Sequence, residues 1–451
     1  MSVTIGTARS DLTPPLGTSL AGYFEDRQAR GVHDPLLCKA LYVTADNSAL
    51  RLTSCDLIGI HSDTLLRAEE IAGAQTGPRE QSLVCCTHTH LGPATMSLLG
   101  SPRADEYADR LPQVLAQAMR GAAGDTFAGQ LSVAVTEARG VSFNRRYHMR
   151  DGSVRMNPGR GNPDVVGPAG PVDPQVLVLL ARDTSGRPRA LVVNFALHLD
   201  TIGGDLVSAD YPHYLAQRVR EALGEQVETL FANGAFGDIN HIDVNDPNQP
   251  AGFAMAEHCG TRLAEAVLQA CDSARPLNNP VVHAARRIVP LPARTIEPET
   301  LERARLVQVL ADPNANRAER EAAAERLGTD QPDTRLRVYA REWQMLAERG
   351  PKPYEADVRV ACLTPEVAFV GLPGEVFCEL GLAIKRNSPF QHTFVISLAN
   401  GYVGYVGTER AYSEGSYETT PARSSPLAPG AGEMLVDAAL DLLRQVHSHA
   451  V

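Results

Sequence analysis

The sequence predicts an α/β fold of mixed β-sheets flanked by α-helices, with a helical segment inserted into it. Three observations predict this. Short apolar runs with strand character recur along the chain. Amphipathic stretches of about 10–15 residues lie between many of them. Several runs also follow one another across turns too short for a helical crossover, so strand directions are mixed.

Taken in order, strands are expected at 40–43, 83–86, 131–135, 176–180, 190–196, 228–232, 281–289, 358–363, 367–371 and 393–398. Helical periodicity falls at 62–74, 104–121, 211–223, 253–269 and 432–445. Residues 298–353 differ. Charge-rich and poor in β-branched residues, they read as two or three helices (299–310, 317–327, 335–349) inserted between strands. They form an arm or lid or, the reading we favour, a solvated outer layer. Residues from 447 on are expected to fray. No internal repeat is visible, and residues 1–451 read as a single domain.

Of the 451 residues, 43% are hydrophobic and 21% charged, a soluble globular composition. A net charge of −11 argues against nucleic-acid partners and anionic membranes, because no basic patch exists to attract them. The N-terminus lacks the charged and apolar regions of a signal peptide, and no run is long enough to span a membrane. The eight cysteines show no CxxC spacing and sit mostly in apolar segments. They are expected to be buried free thiols, and the compartment cytoplasmic.

The chemistry gathers just beyond strand ends, the edge at which α/β folds bind ligands. One apolar run ends in Thr87-His88-Thr89-His90 and a Gly-Pro turn. Residues two apart on a strand share a face, so His88 and His90 point the same way. They are either metal ligands or hydrogen-bonded structural histidines. Another run ends at His198, with Asp200 close behind; a third breaks into the Gly237-Asp238-Ile239-Asn240 turn, and a fourth into Leu372-Pro373-Gly374-Glu375. Singly, Asp238 and Glu375 could be helix caps or first-turn carboxylates. Together they occupy corresponding positions. The segment from Asn400 to Glu418 is dense in glycine and tyrosine, including Tyr402, Tyr405 and Tyr417, in a chain otherwise poor in aromatics. Its phenols could bind a hard Lewis acid, or the segment could be a structural hairpin.

These motifs resemble the catalytic domain of neutral, non-lysosomal ceramidases and their bacterial relatives: DLTPPLG from Asp11, GVHDPL from Gly31, THTHLGP from Thr87, Asn144-Arg145-Arg146, PVDP from Pro171, SADY from Ser208, the Gly237-Asp238 turn, LPGE ending at Glu375, GYVGY ending at Tyr405, and Tyr417-Glu418. The resemblance implies one Zn²⁺ held by His88, His198, Glu375 and Tyr405, with Tyr402 as the competitor for the phenol position. It also implies that His90, Arg145 and Tyr417 line the reacting group. Three departures stand out. Ceramidases carry a serine just after the GD turn, where this chain reads Ile239-Asn240-His241. They also carry a C-terminal β-sandwich domain and are usually exported, and neither feature is expected here. The expected activity is therefore zinc-dependent hydrolysis of an amide, ester or lactone in a small soluble substrate, with Asp238 and Asn240 in the catalytic set and Asn240 substituting for the serine. The alternatives are a genuine ceramidase, a metal-pocket binding protein without turnover, and a metal-assisted isomerase or lyase. No membrane partner is expected; a homo-oligomer is left open.

Overall fold

The structure, a computed structural model, describes residues 3–45, 47–74, 77 and 79–450. Its larger sheet runs Glu228–Asn233, Pro188–Phe195, Gln175–Asp183, Thr126–Glu137, Val3–Asp11, Leu37–Ala45, Ser48–Cys55, Glu80–Cys86, with only the outermost pair at each end parallel. A smaller sheet runs His283–Leu291, Tyr354–Thr364, Val367–Gly371, His392–Ile396, with only its last pair parallel.

This order conceals a repeat that the sequence does not display. Three antiparallel strands, a helix, a fourth strand parallel to the third, and a closing helix occur three times. The first unit (3–124) uses helices α1 (Ser62–Ala72) and α2 (Asp105–Gly124), the second (126–272) α3 (Tyr211–Leu223) and α4 (Phe253–Asp272). The third (283–450) uses α8 (Cys378–Asn387) and α10 (Ala431–Ala450). The first strands of units one and two pair with each other, Ile5 opposite Phe127. The fourth strand of each unit packs on strands of another, in a cycle: Glu228–Asn233 against unit one, Glu80–Cys86 against unit three, His392–Ile396 against unit two.

Gln175–Asp183 explains why so much of the chain is apolar without alternation. Val176, Val178 and Leu180 face α3 and α4, while Leu177, Leu179 and Ala181 face the central core with Ile5, Leu83 and Phe369. Both faces are covered, as in strands sandwiched between layers. Each unit has its own outer core beneath its helices, and all eight cysteines are buried and free.

In each unit the first strand hands over to the second through a long excursion, residues 12–36, 138–174 and 292–353. These excursions leave from the edge at which the third and fourth strands end, so all three units deliver loops to one side. The third excursion holds α5 (Pro298–Ala311), α6 (Arg317–Leu327) and α7 (Thr334–Arg349). A solvated outer layer describes α6, which buries only Ala323, but not α7. Val338, Tyr339, Ala340 and Trp343 form a core with Ala21, Ile58, Met96 and Leu98 from the loops of unit one.

Besides the short strands of the loops, two long strands of the larger sheet escaped the sequence reading, Val3–Asp11 and Ser48–Cys55. Their Gly, Thr, Ser and Arg residues dilute the apolar pattern, and pairing with neighbouring strands supplies the order that propensity does not. The residues expected to fray from 447 on are instead helical to Ala450, with the His447 ring set edge-on against Phe390 at 4.8 Å. Among the described residues no helix is long and apolar enough to cross a membrane.

Candidate metal centre and reaction site

The site grows from the point at which the three fourth strands end. Asn233, the last residue of its strand, donates through Nδ2 to Thr87 O (3.0 Å) and Leu197 O (2.9 Å). The Ser397 amide donates to Asn233 O at 2.9 Å, and the Cys86 amide to Leu398 O at 3.2 Å. Strand ends from all three units are thus tied together. Thr87 and Leu197 stand immediately before His88 and His198.

His88 and His90 do converge, but not by strand alternation. The strand stops at Cys86, and His88 adopts a left-handed φ of 83°, which turns its imidazole inward. The His88 and His90 ring centroids lie 4.9 Å apart, and those of His88 and His198 4.6 Å apart. One ligand atom from each of His88, His90 and His198 lies within 4.8 Å of the others. His88 donates Nδ1–H to Ile58 O at 2.7 Å. His90 Nδ1 is 3.2 Å from Gly22 O, and its Nε2 is buried without a hydrogen-bond partner. Gly22 permits this approach, because a Cβ there would lie 2.4 Å from His90 Nδ1 and its φ is +95°.

Glu375 and Tyr405 meet as neighbours in a two-residue parallel ladder. The Glu375 carboxylate accepts from the Tyr402 hydroxyl on Oε1 at 2.9 Å, while Oε2 is buried, unbonded and 3.4 Å from His88 Nε2. Gly237 lets this strand end close, since a Cβ there would sit 2.3 Å from Glu375 O. Arg145 roofs the group. It donates to His198 Nδ1 (3.3 Å), Tyr405 Oη (3.0 Å), Gly237 O (2.9 Å) and Glu418 Oε1 (2.8 Å). The Tyr417 ring stands 5.9 Å from both the Arg145 guanidinium and the Tyr405 ring.

Asp238 and Asn240 have other engagements. Asp238 Oδ1 accepts from the Cys378 amide at 2.7 Å, capping α8 of unit three from unit two, and Oδ2 accepts from Asn144 at 2.8 Å. Asn240 donates to Asn157 Oδ1 (2.9 Å) and accepts from the Ile242 amide (3.0 Å). Sequence reasoning gave no role to Glu418, whose carboxylate holds both Arg145 and, at 3.1 Å, Arg146. Its only signal was adjacency to Tyr417. It likewise gave none to Asp200, 3.4 Å from His241 Nδ1, signalled by lying two residues past His198.

Burial dominates the electrostatics. It lowers the His90 pKa to about 3, helped by His88, and pulls His198 well down, helped by the Arg145 charge. Both imidazoles stay neutral: His90 keeps its Nε2 lone pair free, whereas the Nδ1 lone pair of His198 accepts from Arg145. Burial pushes the Glu375 carboxyl up, but His88 and Tyr405 outweigh it and the net shift is downward, so the carboxylate stays charged. Burial raises Tyr405 well above the usual phenol, against the pull of Arg145.

These residues fit a divalent cation. His88 Nδ1 faces a carbonyl, which can only accept, so in the neutral ring Nε2 carries the lone pair. That lone pair meets Glu375 Oε2, a second acceptor, while His90 Nε2 is a third buried acceptor without a donor. A cation held by His88 and Glu375 would satisfy those two acceptors and leave His90 Nε2 free to face the reacting group. Imidazole, carboxylate and phenol oxygen form a borderline donor set suited to zinc. The carbonyl behind His88 holds the tautomer that ligation requires.

No protein-family model matches the chain, and no curated protein does. Solved structures do. The neutral ceramidase from Pseudomonas aeruginosa aligns at a TM-score of 0.74 and 18% identity, over 100% of this chain and 75% of that one. A ceramidase complexed with C2 aligns at 0.73 and 17%, over 100% and 76%. Over its whole length, the chain has the fold of neutral ceramidase.

Proposed function

We propose that the protein is a zinc-dependent hydrolase that cleaves the amide bond of a small, soluble N-acyl compound. One observation carries the reading: Glu375 Oε2, buried without a hydrogen-bond partner, faces His88 Nε2 at 3.4 Å, near the partnerless Nε2 of His90 and the Arg145 guanidinium. His88, His198, Glu375 and Tyr405 hold the metal. When bound, it supplies Lewis acidity that polarises the scissile carbonyl and acidifies water. His90, anchored on Gly22 O, keeps Nε2 free to take a proton from the attacking water and return it to the leaving amine. Arg145 and Tyr417 face the acyl oxygen and stabilise the charge that develops there. Asp238 and Asn240 position rather than react, since both spend their polar atoms on neighbouring loops.

The preference for a soluble substrate over a sphingolipid rests on position 240. Where ceramidases place a serine after the GD turn, this chain has an amide committed to Asn157 and Ile242. The fold likeness keeps ceramide as the competing substrate. Metal analysis of purified protein is expected to find about one zinc per chain, and His88→Ala or His198→Ala to abolish it. Wild-type protein free of zinc and indifferent to added zinc would overturn the reading. In a turnover assay, short N-acyl amines should be cleaved and long-chain ceramide should not. Efficient ceramide cleavage would reverse the substrate assignment.

A further inference from the structure

The helical insertion brings to Tyr417, at the edge of the site, a cation that no acidic side chain claims. Arg335, in the first turn of α7, is exposed. Its guanidinium carbon lies 5.2 Å from the Phe24 ring centroid, 5.7 Å from Tyr339 and 5.5 Å from Tyr417. Arg305, Arg317 and Arg326 on the same insertion each pair with a glutamate. Arg335 has no ion pair among the described residues; its polar contact is with Tyr339. The rings beneath it are themselves packed, Phe24 on Tyr339 at 5.4 Å and on Tyr417 at 6.4 Å. They come from three places: the excursion of unit one, the insertion, and the tyrosine segment of unit three.

The location matters as much as the charge. Tyr417 is shared, with Arg335 over it at 5.5 Å and Arg145 at 5.9 Å. Phe24 stands two residues past Gly22, whose carbonyl faces His90. A substrate reacting beside His90 and Arg145 therefore reaches Arg335 about one ring's width away, on the solvent side. A guanidinium held among aromatic rings, with one contact to Tyr339, keeps its remaining N–H donors available and their orientation set, which suits recognition of a carboxylate. In a chain of net charge −11, long-range attraction does not bring anions in, so a local cation has to select them.

We propose that Arg335 is a specificity residue that binds an anionic group, most simply a carboxylate, carried by the substrate several atoms from the scissile amide. This rests on the hydrolase reading for the location of the reacting bond. Its test uses equilibrium binding, which does not depend on turnover. The probes are the non-cleavable ketone isosteres of N-acetyl-ε-aminocaproate and of its primary amide (CH2 in place of the scissile NH), matched except for charge, titrated calorimetrically into zinc-loaded wild type, Arg335→Gln and Arg335→Lys. All three proteins should share one melting temperature, because the side chain is exposed. Wild type should bind the carboxylate about tenfold more tightly than the amide. Arg335→Gln should bring that ratio to about one by weakening the carboxylate, and Arg335→Lys should retain part of it. Equal binding in wild type, a preference that survives Arg335→Gln, a preference for the neutral probe, or binding of neither probe would each overturn the proposal. Tight, Arg335-dependent binding without cleavage of the parent N-acyl compounds would instead count against the hydrolase reading alone.

Discussion

His88 carries the site on one torsion. Its left-handed φ of 83° replaces the strand geometry that would have set the two imidazoles side by side, and strain of this kind persists only where surrounding contacts enforce it. The bond to Ile58 O and the tie from Asn233 to Thr87 O enforce it here. Gly22 does the corresponding work for His90. In Gly22→Ala the new methyl would displace the His90 ring or the loop, and a displacement of about 1 Å costs on the order of a hundredfold in rate. Turnover of a short N-acyl amine is expected to fall by about that factor with zinc content unchanged, because His90 is not assigned as a ligand. Loss of zinc along with rate would make His90 a ligand, as its grouping with His88 and His198 allows. Much of this was legible from single residues. His88, His198 and Glu375 end apolar runs, and that is a local property. Glu418 was not, because a carboxylate that neutralises two arginines more than 270 positions away leaves no local trace. Nor could spacing separate Tyr402 from Tyr405. The structure gives them different partners, Glu375 for Tyr402 and Arg145 for Tyr405.

Elements place these residues through their ends. Asn233 satisfies Thr87 O, Leu197 O and the Leu197 amide with one buried side chain. Asn233→Ala strands all three groups, and unmet buried polar groups cost about 1–3 kcal/mol each. Urea unfolding should show a loss of about 3 kcal/mol or more, together with weaker zinc retention; a change under 1 kcal/mol would show that the strand ends hold without it. Asp210, which caps α3, tests the electrostatics of an element terminus. Burial raises its pKa from the usual 3.8 to about 6, despite hydrogen bonds from Thr201 and Tyr211. The folded chain thus binds a proton more tightly than the unfolded one. The associated stability is complete below about pH 4 and is lost as pH rises through about 6, a difference of about 3 kcal/mol. Asp210→Asn removes that titration with little change of shape, and Asn meets the φ of 60° and ψ of −151° found there no worse than Asp does. Its stability relative to wild type should therefore improve between pH 4.5 and pH 7 by about 2 kcal/mol, measured by denaturation at both values. A gap that does not change with pH would refute the assignment. Strands such as Gln175–Asp183 were legible because both faces are apolar. Val3–Asp11 and Ser48–Cys55 were not, since their order comes from neighbours.

At the scale of the molecule, three units of one architecture share no visible sequence repeat, because layer packing asks only for apolar residues in the right places and any of several will do. The sequence therefore revealed the class of fold and the strand-end chemistry but not the cycle that brings the strand ends together. It also left undecided whether the third excursion covers the site. α7 packs on loops of unit one, and one buried ion pair tests whether that packing is a separately docked cover. Glu342 is fully buried and takes the Arg423 backbone amide, Nε and Nη2, at 2.9, 2.9 and 2.7 Å. Arg423→Ala keeps the amide bond but leaves a buried carboxylate without its counter-charge, a cost of about 3–5 kcal/mol. Arg423 follows directly on Ala422, which packs in the same core as Trp343 and Leu98, so the penalty falls on the junction between insertion and site loops. Hydrogen exchange should accelerate across 298–349 and around Leu98 and Leu99 while the central strands stay protected, since local opening needs only these contacts to fail. Rate should fall with it, because Tyr417 and the rings beneath Arg335 lose their support. If protection instead drops across all three units together, the insertion is an integral part of the core and not a separately docked cover over the site.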